Sequence, residues 1–158
     1  MLTLNKPVVN ASGNMIVLVI REGKRMHCCG IRGATTVEEN TKGTILHATR
    51  ELLEKMIEAN EIQVEEIACA FFTTTPDLNA EFPALAAREM GWTQTALLCG
   101  HEMNVPGSLS LCLRILILYN TEKAADEIIH VYIKGAENLR EITLPNQNGK
   151  ELQERRCS

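Results

Sequence analysis

A chain of 158 residues, 45% hydrophobic and 23% charged, is long enough to bury one core without staples and fits a single soluble globular domain. A formal net charge of -4 and 4% aromatic residues exclude a broad basic face and a base-stacking platform, so nucleic acid is not an expected partner. No apolar run approaches the roughly 20 residues of a membrane-spanning helix, so no membrane association is expected either.

Residues 1–25 differ in character from the rest of the chain. Asn10 to Asn14 is turn chemistry, and Met15 to Ile20 reads as an added strand. The run is short for a signal peptide, and Arg21 to Arg25 follows it in place of a small-residue cleavage site. Arg21-Glu-Gly23 can be encoded by a purine-rich string of the kind that precedes a bacterial start codon, and Met26 lies just beyond. The expectation is an N-terminal extension over 1–25, with Met26 as the natural start, a main domain over 26–140 and a mobile tail over 141–158.

Residues 27–34 read as a first strand, with Gly33 at its end. Thr36-Val-Glu-Glu39 has the form of a capping box and predicts a helix from there to about Asn60. Ile45, Leu46, Leu52, Leu53, Met56 and Ile57 form its buried stripe. Ile67 to Thr74 is a second strand, closed by Thr75-Pro-Asp77. Pro83 opens a short helix over Ala84 to Met90, and Gly91 closes it. Thr95 to Cys99 is a third strand, Asn104 to Gly107 a loop, Leu109 to Tyr119 a fourth strand, although its length alone would also permit a helix, and Ile128 to Lys134 a fifth. One long and one short helix cannot cover both faces of such a sheet, so an oligomer that buries sheet against sheet is expected.

The apolar run Leu111 to Tyr119 carries one charge, Arg114, which cannot shed its proton to escape burial. Its partner must be a distant Asp or Glu, or an anion that comes and goes. Arg32, Arg88 and Arg140 also lie in or beside apolar elements, as for a substrate with more than one carboxylate. Glu102 could accept a bond from a substrate hydroxyl. Each group has a plainer reading: Arg88 and Arg140 as solvated charges, Arg32 as half of a structural ion pair, Tyr132 as a half-buried strand residue, Cys99 as a core thiol, Glu102 as the ion-pair partner of Arg114.

The six cysteines have no C-x-x-C spacing and several sit in apolar runs, as reduced thiols of a cytoplasmic protein do. His27-Cys28-Cys29 could suggest a metal, but adjacent strand residues point to opposite faces, so no metal is expected. The sequence carries no evident Ser-His-Asp set, no phosphate loop, no dinucleotide fingerprint and no H-E-x-x-H. A reaction needing neither nucleophile nor cofactor fits.

Gly30-Ile-Arg-Gly-Ala-Thr-Thr-Val-Glu38 resembles the opening of the monofunctional, trimeric chorismate mutases of the AroH type. So do Thr75-Pro-Asp-Leu-Asn-Ala-Glu-Phe-Pro-Ala84 with Arg88, Cys99-Gly-His-Glu-Met103, and His130-Val-Tyr132 with Leu139-Arg140. The resemblance covers residues 26 to about 140, and the family start falls at Met26. It implies an α+β chain whose five-stranded mixed sheet packs with one long and one short helix. Three chains would form a pseudo-barrel with active sites between subunits.

The implied reaction is the pericyclic Claisen rearrangement of chorismate to prephenate, on the way to phenylalanine and tyrosine, without a cofactor. The resemblance gives Arg114 as the cation beside the ether oxygen and Arg32 as a carboxylate ligand. It gives Tyr132 as a donor to the side-chain carboxylate, and Glu102 and Cys99 as the groups around the ring hydroxyl. Phe82 and Arg88 are implied as the wall and mouth supplied by a neighbouring subunit. Leu139 and Arg140 belong to the segment that covers the site. The family often has Thr before the cysteine; here Leu98 stands there. Two rivals stand beside this reading: a non-catalytic trimer on the same scaffold, sensing an aromatic-pathway metabolite, and a related trimeric fold with deaminase-like activity on reactive enamines.

Overall fold

The computed structural model describes residues 5–9, 15–19 and 26–143. Five strands form one mixed sheet: β3 (His27–Thr36), β4 (Ile67–Thr74), β5 (Ala96–His101), β6 (Cys112–Thr121) and β7 (Val131–Tyr132). Their order is β5-β4-β6-β3-β7. A separate antiparallel ribbon pairs β1 (Asn5–Val9) with β2 (Met15–Val19), so the expected early strand is present. The turn expected at Asn10 to Asn14 lies outside the described residues, as do residues 144–158.

Period-two alternation along β6 decides the architecture. Leu113, Ile115, Ile117 and Tyr119 are buried, whereas Arg114, Leu116 and Leu118 between them are only half-buried. That is a strand with one covered face, and a helix would have placed the same residues on a different stripe. β6 is central and antiparallel to both β3 and β4; the pairs β4–β5 and β3–β7 are parallel. Helix α1 (Lys42–Asn60) lays Ile45, Leu52, Leu53 and Met56 on the covered face, against Ile31, Phe72, Ile115 and Ile117. Helix α2 (Ala84–Glu89) begins after Pro83, and Gly91 follows it at φ 95, a left-handed turn that favours glycine.

Several expected boundaries move; the fourth strand, for one, starts at Cys112 and not at Leu109. The capping box falls at Thr41, not at Thr36. Thr36 is still in β3, opposite Cys112, and the ladder continues as Val37 N–H donates to the Leu111 carbonyl at 2.9 Å. The chain therefore stays extended past the acidic residues. The Thr41 hydroxyl then accepts from Thr44 N–H, and the Thr44 hydroxyl from Thr41 N–H, both at 3.3 Å. The fifth strand shrinks from Ile128–Lys134 to two residues. Ile129 spends both backbone groups on the Asn60 side chain, and Lys134 turns left-handed at φ 55. A 3-10 segment, Lys134–Thr143, follows, so regular structure runs three residues past the expected boundary at 140.

Among the described residues, neither α-helix packs on the other face of the sheet. Cα pairing sets Leu98, Phe71, Leu116 and Arg32 in one row across four strands, and Gly100, Thr73, Arg114, Ala34 and Tyr132 in the next. Leu98 is 60% exposed and Phe71 37%. Gly33 faces the opposite way, under α1. A Cβ there would meet the Met56 sulfur at 2.3 Å and Leu52 Cδ1 at 3.2 Å, and both side chains are fully buried. Gly33→Ala is expected to destabilise the protein in denaturant unfolding by about 1–3 kcal/mol, the usual cost of overpacking. An unchanged midpoint would show that α1 can shift freely on β3.

Candidate active site

The alternation that buries Ile115 turns Arg114 to the open face, and the register places it directly opposite Thr73 on β4 and Ala34 on β3. Glu102 comes to the same spot from the end of β5. Its N–H donates to the Thr74 carbonyl at 2.9 Å, which extends the β4–β5 pairing by one residue. Its carboxylate is then held twice: Arg114 Nη1 donates to Oε2 at 2.5 Å, and the Thr73 hydroxyl donates to Oε1 at 2.7 Å. The question posed by a charge inside an apolar strand is thus answered by a distant acid. The pair is not sealed away, however. The Arg114 side chain is 40% exposed and that of Glu102 15%.

Arg114 borders a cavity of about 430 Å³ shared with Arg32, Phe71, Thr73, Tyr132 and Leu139. Arg32 arrives from β3, two residues before Ala34, and Tyr132 from β7, paired with Ala34. Among the described residues, no carboxylate pairs with Arg32 and no protein group bonds the Tyr132 hydroxyl. The backbone around them is fixed. Arg32 N–H donates to His130 Nδ1 at 3.2 Å, and Ile133 N–H to the Ala34 carbonyl at 3.0 Å. The cavity therefore offers two guanidiniums and a phenol on an apolar floor, with one carboxylate attached to one guanidinium. That set is suited to a small anion that also carries a hydroxyl.

A second cavity, of about 350 Å³, lies on the other side of β4. It is lined by Thr74, Phe82, Pro83, Cys99 and His101 among others. Thr73 and Thr74 are neighbours on one strand and so face opposite ways. Phe82 is 72% exposed. Its loop is clipped to the start of α1: Asn40 Oδ1 accepts from Asn79 N–H at 3.0 Å and Ala80 N–H at 2.9 Å, and Lys42 pairs with Glu81 at 2.8 Å. Burial pushes the Cys99 thiol up from its ordinary value, with a smaller opposing contribution from the Ala84 backbone. At neutral pH it is a neutral thiol and a weak donor.

The sequence-predicted residues thus separate. Arg32, Arg114, Tyr132, Leu139 and Glu102 gather on the open face, whereas Cys99 sits with Phe82 behind them. Arg88 lines neither cavity; its Nη1 donates to the Trp92 carbonyl at 2.5 Å and the Thr93 carbonyl at 3.1 Å, closing the turn after α2. Leu98 lies on the open face beside Phe71, away from Cys99. The Arg140 side chain lies outside the described residues. Thr73 and Phe71 were missed by pattern reading. The alternation of β4 would have put both on the face of Arg114 once its pairing with β6 was known. Cys28 is exposed and Cys29 buried, as opposite faces require. Among the described residues, no helix is long and apolar enough to cross a membrane.

Comparison with known proteins agrees with this geometry. The family pattern described as "Chorismate mutase type I" matches residues 28–142. "Chorismate mutase AroH" of Thermus thermophilus is 53% identical over 112 residues, covering 70% of this chain and 92% of that protein. The protein of the same name from Bacillus subtilis (strain 168) is 45% identical over 112 residues, covering 70% and 88%. A solved chorismate mutase from Clostridium thermocellum superposes with a TM-score of 0.67 at 50% identity, over 68% of this chain and 96% of that one. An open sheet face with a paired arginine, and a sequence that follows these relatives through the whole of that sheet, together place the chain in the type I chorismate mutase family.

Proposed function

We propose that this chain catalyses the rearrangement of chorismate to prephenate, and that Arg114, held by Glu102 on the open sheet face, is its central group. The substrate is a dianion with one hydroxyl, and the reaction breaks an ether C–O bond while a C–C bond forms within the same molecule. It needs no nucleophile. It needs the enolpyruvyl arm held over the ring, and a cation where the ether oxygen gains charge. Arg114 supplies that cation already oriented by Glu102, so little reorganisation is left for the transition state. Arg32 binds a carboxylate, the Tyr132 hydroxyl donates to the side-chain carboxylate, and Leu139 closes the apolar side. Glu102 accepts from the ring hydroxyl.

The site is completed by another chain. Cys99 and Phe82 lie in a different cavity from Arg114 within one chain, and the open face exposes Phe71 and Leu98. A neighbouring subunit that covers this face would bring its Phe82 wall and Cys99 to the ring, with its Arg88 at the mouth, while Arg140, next to Leu139, covers the site. We infer a homotrimer arranged as a pseudo-barrel, working in the cytoplasm in phenylalanine and tyrosine biosynthesis. Cys29 and Cys112 are buried among apolar residues, as reduced core thiols are, which supports the reducing compartment.

Loss of chorismate absorbance in metal-free buffer tests the activity directly, and binding without turnover would leave only a sensor. Arg114→Ala is expected to lower kcat by at least about 10²–10³, the usual loss for one preorganised donor. Arg114→Lys should rescue poorly, because a point charge cannot hold Glu102 and reach the ether oxygen together; near-normal turnover by it would remove the role given to Arg114. Cys99→Ser should stay within about tenfold of the parent, the scale of one hydrogen bond; a collapse of several orders would mean covalent chemistry. The native mass should be three times the chain mass of 17.6 kDa. A fully active monomer would rule out sharing.

A further inference from the structure

β7 is only two residues long, yet it carries Tyr132 and must hold it over the cavity. We propose that Asn60, at the far end of α1, is a positioning residue that fixes the register of this strand and hence of Tyr132. The proposal rests on reading Tyr132 as a substrate contact.

Asn60 is 1% exposed, in a helix whose buried face is otherwise mostly aliphatic. Asparagine is a poor helix former, and a buried amide must be fully matched or it destabilises the fold. Here it is matched in a particular way. Oδ1 accepts from Ile129 N–H at 2.8 Å, and Nδ2 donates to the Ile129 carbonyl at 2.8 Å; the second amide hydrogen goes to the Met56 carbonyl at 3.1 Å. The carboxamide therefore acts as a one-residue strand neighbour to Ile129. No apolar residue of similar size could do this.

The clamp sits at the head of the segment that matters. One residue on, His130 Nδ1 accepts from the backbone N–H of Arg32 at 3.2 Å. Three residues on is Tyr132. The far end is tied by Ile133 N–H to the Ala34 carbonyl and by Gly135 N–H to the Thr36 hydroxyl at 3.1 Å. Lys123 supports the near end by donating to the Asn60 carbonyl at 2.8 Å. With two ladder residues and no side chain of its own deep in the core, β7 has its register set at these ties. A slip of one residue would turn Tyr132 to the other face of the sheet.

Hydrogen exchange on the unaltered protein is the first test. Ile129 is 52% exposed, but its amide should exchange as slowly as those of β6; exchange at the rate of an open loop overturns the clamp. Asn60→Ala should then move the ring resonances of Tyr132, one of two tyrosines, while the single tryptophan, Trp92, keeps its buried fluorescence. In kinetics, Asn60→Ala should lower kcat/KM for chorismate by about 10- to 100-fold, mainly through KM. In a Tyr132→Phe background the same change should cost under about threefold, because both act through one group. An equal loss in both backgrounds would mark general loosening and defeat the proposal. If the unaltered protein fails to turn over chorismate, the catalytic reading falls, and the exchange and ring measurements alone decide whether Asn60 places Tyr132.

Discussion

The bond between Arg114 and Glu102 is the constraint on which the whole site depends. It is not mainly a source of stability. Both side chains keep contact with solvent, at 40% and 15% exposure, and such pairs contribute about 0–1 kcal/mol. What the pair provides is direction. Thr73 grips one carboxylate oxygen and Arg114 the other, while the Glu102 backbone is tied into the end of the β4–β5 ladder. Three strands thereby agree on where one guanidinium stands. Under the proposed function, an arginine left free on the same strand would have to give up its rotamer freedom each time substrate bound.

The rest of the open face complements that fixed charge. Arg32 and Tyr132 reach the cavity from β3 and β7; main-chain bonds pair β7 with β3, and β3 in turn with β6. The apolar floor of Phe71 and Leu116 lowers the local screening, so under the proposed function a charge placed there would act more strongly on a developing oxyanion than it would in water. Burial pushes the Cys99 thiol further above its ordinary value. The local conflict of a cation on a greasy strand is met by the Glu102 carboxylate.

Much of this could be read from the chain alone, because β4 and β6 are long, strongly patterned strands, and the stripe of α1 is regular. The family motifs then placed Arg32, Glu102, Arg114 and Tyr132 in roles that the sheet register makes geometrically compatible. The failures have physical causes. The Thr36 cap had the right letters, but a tertiary ladder bond from Val37 kept the chain extended. β7 looked long because its flanks are apolar; Asn60 took over the hydrogen bonds that a strand neighbour would have made. Thr73 was invisible because its importance depends on a partner 29 residues away. The separation of Cys99 from Glu102, only three positions apart in the chain, is a matter of strand parity at the end of β5, which no composition reveals.

Thr73 and Thr74 look in opposite directions from adjacent positions, and this has a geometric result for assembly. The cationic cavity and the Phe82 cavity stand back to back across the end of β4, so under the proposed sharing each chain offers one kind of surface to one neighbour and the complementary kind to another. Contacts of that sort are head to tail. They cannot satisfy themselves by two-fold pairing and must either close into a ring or run on as a fibre. The curvature of the sheet, set by its twist, would then determine how many chains complete the circle.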